Sequence, residues 1–307
     1  MKTKTIIQHH SIGGAVCAGA LLLMGSSALA QNMFVGSFGN EDIVEFPTSG
    51  PSSVFASGIT LPDGIAFDSS GDFFEADQDA GNIYEYTYSG GTFSSTRTTF
   101  ATGLSQPAGI AFNGAGLLFA ESANGNIYDY TSSGMRNTFA TGVSSPGALA
   151  FDTAGNLYVA SAPNNEILKF TPGDVESIFT ANVAYPSGMV FNSAGDLLVG
   201  NGNGAGTIEQ VTPGGVVTTY ATGLNQPTGM AFDTNGDLFV ADQGLGMENG
   251  DVTEFTAGGS RILFNSTISK PVSVAFQGEA LPVPEPSTYG LFATGASTLL
   301  FLRRRKK

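Results

Sequence analysis

The side chains of this 307-residue chain best suited to chemistry are oxygen donors. Asp63, Asp77, Glu121, Asn201, Asn203 and Asp242 recur at related places in successive stretches of similar sequence. Carboxylate and amide oxygens are the ligands that hard cations such as Ca2+ and Mg2+ take, and Asp63, Glu121 and Asp242 are the candidate metal ligands of the set. Two carboxylates break the pattern around them. Glu121 stands where the other stretches have Gly36, Ala76, Ala160, Gly200 and Ala241, and Glu75 where they have Val35, Ala120, Val159, Val199 and Val240. A buried carboxylate without a partner is costly, so each reads as a ligand, a paired acid or a locally exposed residue. Nucleophile–base chemistry lacks its parts. The histidines are His9 and His10, the lone cysteine is Cys17, and Trp is absent. If the first 30 residues are removed, the remaining chain has no imidazole or thiol to serve as base, nucleophile or metal ligand.

The removal is expected from the N-terminus itself. Lys2 and Lys4 precede an apolar, small-residue run over 11–24, and Ala28-Leu29-Ala30 precedes Gln31, the order of parts in a secretory signal peptide cleaved between Ala30 and Gln31. At the other end Pro284-Glu285-Pro286 is followed by sixteen uncharged residues, 287–302, and then by three arginines and two lysines. The physics is that of a short tail anchor whose basic end stays cytoplasmic. The ordered parts also resemble the PEP-CTERM sorting signal. That resemblance implies recognition by an exosortase, processing near Pro284 to Pro286, a transient membrane anchor, and delivery to the cell surface or extracellular matrix beside exopolysaccharide or surface protein. The domains expected are thus a signal peptide over 1–30, a folded unit over 31–280 and a sorting segment over 281–307.

Between the ends the chain repeats. LPDGIAFD, QPAGIAFN, SPGALAFD, YPSGMVFN, QPTGMAFD and KPVSVAFQ carry prolines at 62, 107, 146, 186, 227 and 271, spaced 45, 39, 40, 41 and 44 apart. After the segment comes a Gly-bearing turn, then an apolar run such as NLYVA, an alternating run such as NIYDYT, and a fourth run such as NTFATGV. Period-2 alternation between such turns gives four short strands per unit, and a unit of about 40 residues with four strands is a propeller blade. Residues 33–59 hold only the second, third and fourth strands of a blade, and 271–277 only the first. Joined, they complete a sixth blade. The fold class is therefore an all-β, six-bladed β-propeller closed by its two chain ends.

The repeat columns have structural assignments. Ile65 and Phe67, with their equivalents in each unit, are expected between neighbouring blades, and Gly64, Gly109, Ala148, Gly188, Gly229 and Ser273 where inner strands crowd the axis. Asp68, Asn113, Asp152, Asn192 and Asp233 are expected to cap the turns they open. The polar column Ser37, Asp77, Ser122, Ser161, Asn201 and Asp242 is expected to ring one mouth of the channel, on the same side as Asp63, and the segment 243–250 to form part of that rim as a surface insertion.

The repeat over 33–277 resembles the NHL repeat and, more loosely, the senescence marker/gluconolactonase family of six-bladed propellers. Pro62-Asp63-Gly64 looks like the element that supplies a metal-binding Asp in the latter, although that family's Pro-Asn-Gly element and early Glu have no counterpart here. Residues 31–282 carry 25 acidic and five basic side chains, which excludes a phosphate-tracking nucleic-acid binder and disfavours anionic membrane surfaces. A streptogramin-lyase-like mechanism would need a histidine. The reading is a binding or structural module displayed at the cell surface or in the matrix, with a ligand at an acidic mouth of the channel. The alternative is a Ca2+- or Mg2+-dependent lactonase or esterase using Asp63 and Glu121, and a third is a purely structural matrix component.

Overall fold

The computed structural model describes residues 31–202, 206–244 and 250–278. Six four-stranded antiparallel sheets form a ring. Blade 1 is ordered Pro271–Phe276, Met33–Ser37, Asp42–Phe46, Ser53–Ser57 from the inside outwards, and blades 2 to 6 begin at residues 62, 110, 146, 186 and 227. The innermost strand of blade 1 comes from the C-terminal side of the chain and pairs with the N-terminal strand in the register Met33↔Phe276, Phe34↔Ala275, Val35↔Val274, Gly36↔Ser273. This is the closure that the orphan strands predict. It pairs strand edges that would otherwise stay open.

Alternation along each strand explains the core. Successive side chains face opposite neighbours, so every blade contributes to two interfaces. Phe34 and Ile43 of blade 1 meet Ile65, Phe67 and Phe73 of blade 2 in one apolar cluster, while Phe74 and Ala76 face Ile110 and Phe112 of blade 3 in the next. Phe34 packs edge-on against Phe67 at 5.2 Å between centroids, and Phe239 of blade 6 meets Phe276 at 5.2 Å across the closing junction. Edge-to-face geometry adds to the burial of each ring.

Two departures from the repeat have visible causes. The 45-residue spacing from Pro62 to Pro107 accommodates an extra hairpin, Tyr88–Ser89 with Thr92–Phe93, whose Phe93 reaches the Phe34 cluster. Blade 3 has an innermost strand of only three residues, Ile110–Phe112, because the amides of Ala108 and Gly109 are taken by the Glu121 carboxylate.

The axis is crowded as expected. A Cβ added at Gly64 would overlap the carbonyl oxygen of Ala108 in the next blade, and one at Gly188 the carbonyl of Thr228. The column ends at Ser273, whose Oγ donates to the Pro62 carbonyl at 3.1 Å and links blade 1 to blade 2. Gly188→Ala is expected to destabilise the protein by about 1–3 kcal/mol through overpacking, measured by denaturant unfolding, because the obstacle is backbone that cannot turn aside.

Candidate functional site

The inner strands surround a central cavity of about 770 Å3, within the range of small-molecule sites. Its walls are largely the edges of those strands. One carboxylate, Asp63, is among the described residues lining it, with the amides of Gln78, Gln226 and Gln243 and the ring of Tyr185 at the same end. These residues flank the start of an innermost strand or the end of the second strand, and Pro62↔Asp77 and Pro227↔Asp242 show that the two places coincide. Asp63 follows Pro62 on Pro62–Phe67, and its Oδ2 accepts from Gln78 Nε2 at 3.2 Å. Burial raises its pKa to about 6.

The polar column lies one position away from the mouth, inside the blades. Asp242 accepts from the amides of Asn225 (2.8 and 2.9 Å) and Gln226 (2.7 Å). Ser122 Oγ accepts from the Ser105 amide at 2.8 Å, while Ser161 donates to the Ser144 carbonyl at 2.8 Å and Ser37 to that of Ser269 at 2.7 Å. Asp77 caps the amide of Ala80, and Asn201 donates to Thr207 Oγ1 at 2.6 Å. Most of the column thus fastens the crossover before its own innermost strand. The pleat then turns the following residues, Gln78 and Gln243, toward the channel, so the ring expected from the column is supplied by its neighbours. Asn203 lies outside the described residues, as do 245–249 and Pro284, Glu285, Pro286 and Ala30.

Glu121 sits behind the channel wall. Its Oε1 accepts from the amides of Ala108 and Gly109, the latter at 3.1 Å, and Oε2 has no hydrogen-bond partner. Burial first, and then the like charge of Asp63 in the adjacent blade, raise its pKa to about 8 against the help of the two amides. Asp242 is in blade 6, three blades round the ring from Glu121 in blade 3. Among the described residues no three acidic, histidine or cysteine side chains come close enough to hold a metal ion. Asp63, Glu121 and Asp242 lie in blades 2, 3 and 6 and are not gathered into one such group among the described residues, and Gln78 presents its donor nitrogen to Asp63.

Glu75 is a paired acid. The Arg97 guanidinium lies 2.8 Å from its Oε1, stacks 3.9 Å from the Tyr84 ring centroid and reaches the Gly58 carbonyl of blade 1 at 3.4 Å. Burial raises the Glu75 pKa to about 8, opposed by Arg97 and reinforced by Asp77. Spacing gave no sign of this partner, since Arg97 precedes the fourth strand and its role depends on the fold. The turn column behaves as expected. Asp68 Oδ1 accepts from the amides of Ser70 (2.8 Å) and Asp72 (2.9 Å), and Asp233 Oδ1 from those of Asn235 and Asp237 (both 2.9 Å).

The C-terminal residues 282–306 match the family model described as the PEP-CTERM protein-sorting motif. The chain carries an exosortase sorting signal. The signal marks the protein for export, processing by an exosortase and sorting to the cell surface. Among the described residues no helix is long and apolar enough to cross a membrane. No curated protein matches the chain. Solved structures share the propeller with the region ahead of the signal. A nidogen/laminin complex matches with TM-score 0.69 and 17% identity, covering 82% of this chain and 99% of that one. Virginiamycin B lyase from Staphylococcus aureus gives 0.58 and 18%, covering 78% and 83%. A putative gluconolactonase gives 0.57 and 15%, covering 70% and 88%. At such identities the likeness is one of fold.

Two outcomes follow from the buried acids. Between pH 4.5 and 8 native Glu121 keeps a proton that the unfolded chain has lost, so stability falls as pH rises through that window. Glu121→Gln, which mimics the neutral acid, is expected to flatten the fall in melting temperature between pH 5 and 8.5. Arg97→Met removes the cation facing Glu75 and is expected to cost about 3–5 kcal/mol at pH 9, less at pH 6, in denaturant titrations.

Proposed function

We propose that this exported protein is a non-enzymatic binding module that holds part of a surface or matrix polymer, exopolysaccharide in the first instance, in the Asp63 end of its channel. The observation that carries the reading is the chemistry of the lining. Ser187 Oγ donates to the carbonyls of Gly200 (2.8 Å) and Pro227 (2.6 Å), and Thr228 Oγ1 to that of Ala241 (3.2 Å). No hydroxyl of the described lining is held by a base, and the one carboxylate is held by an amide. Such a cavity offers hydrogen bonds and a charge to a ligand without an activated nucleophile. The sorting signal supports this partner class, because a protein processed at the surface meets the polymers of that surface. A signal peptide over 1–30 and a transient anchor over 287–302 complete the export route.

The hydrolase reading retains Asp63 in the cavity as its support, but among the described lining residues a divalent ion would find one anionic ligand.

Gly147 lines the channel, and a Cβ there meets nothing nearer than the Ala160 carbonyl oxygen at 3.9 Å. Gly147→Trp is expected to plug the cavity with an unchanged fold, and to abolish co-sedimentation of the protein with exopolysaccharide from the producing cells. Undiminished binding would place recognition elsewhere. Replacing Pro284-Glu285-Pro286 by alanines is expected to leave an unprocessed chain in the membrane fraction, read as a larger band on immunoblots and loss from the surface.

A further inference from the structure

The charge balance of the cavity defines its ligand more narrowly. Asp63 lines the cavity partly exposed, with one long hydrogen bond of 3.2 Å from Gln78 and the Glu121 carboxyl as a titratable neighbour behind the wall. No Lys, Arg or His is among the described lining residues, and neither 203–205 nor 245–249 contains one. Of the five cations in 31–282, Arg97, Arg136, Lys169 and Arg261 lie over the rings of Tyr84, Tyr128, Tyr158 and Phe255, away from the axis. Lys270, next to the closing strand, lies 5.0 Å from the Phe38 ring. A carboxylate on a cavity wall with no cation beside it among the described residues is the complement of a positive charge brought by a ligand.

The opposite side of the same mouth offers a face. Tyr185 belongs to blade 5, three blades round the ring from Asp63 in blade 2, and keeps 46% of its surface exposed while lining the cavity. Its backbone is left-handed at φ 50°, a costly conformation for a bulky residue, held by Asn165 Oδ1 on its amide at 2.8 Å and by the Gly202 amide on its carbonyl at 3.0 Å. The same left-handed turn recurs at Gln106, Ser145 and Lys270, each also just before the proline of its repeat, so the turn belongs to the repeat; what is particular to blade 5 is an exposed aromatic at that place, which offers a face to a ligand ring.

Resting on the channel reading above, we infer that the site recognises an amino-sugar unit bearing a free ammonium, with the ammonium on Asp63 and the sugar ring against Tyr185. A divalent metal fits less well, because one carboxylate supplies one charge and the nearest amide presents its donor. A fully acetylated sugar fits less well, because it leaves Asp63 without a counter-charge.

The test is calorimetric titration of the exported protein with three probes, namely glucosamine oligomers, N-acetylglucosamine oligomers of the same length, and spermidine. The expected result is saturable binding of the glucosamine oligomer, with affinity at least 10-fold above the acetylated one. Asp63→Asn should weaken it roughly 10- to 100-fold, as loss of a charge-assisted hydrogen bond does. Tyr185→Ala should weaken the glucosamine oligomer and leave spermidine unchanged. Melting curves of both variants report their folding, and a third variant, Gly147→Trp, excludes binding outside the channel. Equal affinity for acetylated and free oligomers, unaffected by Asp63→Asn but lost in Gly147→Trp, would overturn ammonium recognition and leave channel binding standing. Glucosamine-oligomer binding that survives Gly147→Trp would overturn the channel itself. Spermidine binding as tightly as the oligomer, with Tyr185→Ala without effect on either, would overturn the amino sugar. Absence of binding by all three probes at 10 mM would overturn the inference outright.

Discussion

The pairing of Met33–Ser37 with Pro271–Phe276 is the constraint on which the molecule depends. The chain has no disulfide to hold its ends, since its one cysteine lies at position 17. The N-terminal and C-terminal strands must therefore find each other through backbone hydrogen bonds and apolar packing. Once they do, every inter-blade cluster gains its second wall, including the one that joins Phe239 to Phe276. A blade by itself is a four-stranded sheet with two open apolar faces, and the ring is what covers both.

Closing the ring also makes the cavity. Six innermost strands brought together point their free edges at the axis, so backbone donors and acceptors form much of the wall. The crowding that requires Gly64 and Gly188 keeps neighbouring inner strands in register. Buried polar residues at the ends of four second strands, Ser37, Ser122, Ser161 and Asp242, then tie the crossover to its own blade, and Asp242 does so with bonds to two successive amides. The Asp242 bonds hold the rim residue Gln226, while backbone bonds from Gln78 to the Leu61 carbonyl, from Gln243 to the Gln226 carbonyl and from Gly202 to the Tyr185 carbonyl hold the rest of the rim. Among the described residues the cavity carries one carboxylate, that of Asp63.

The acids in unexpected columns show two physical solutions to one problem. Glu75 takes a cation from elsewhere in its blade, whereas Glu121 takes two amides and shortens the innermost strand of its blade to do so. The first is sensitive to removal of its partner. The second is sensitive to pH, because two amides do not offset the burial of a full charge. Neither side chain lines the cavity, and both affect it through the walls they hold.

The order of short strands, the six-fold count, the shared closing blade and the sorting signal at 282–306 were all determined by the sequence alone, since they rest on local periodicity, turn residues and linear order. The packing role of Ile65 and Phe67, the crowding at Gly64 and the caps at Asp68 and Asp233 were legible for the same reason. Only the tertiary structure decided which polar residues meet. Asp63, Glu121 and Asp242 look alike in the repeat, yet one faces the channel, one lies behind its wall and one fastens a crossover in blade 6. Side-chain direction at a strand end depends on the last pleat and on bulges such as that between Pro62 and Gly64. A one-residue change in register moves a carboxylate from one face to the other. Partners such as Arg97 for Glu75, and the placing of Tyr185 across the mouth from Asp63, arise from the closing of the ring, and a linear repeat contains no record of that distance.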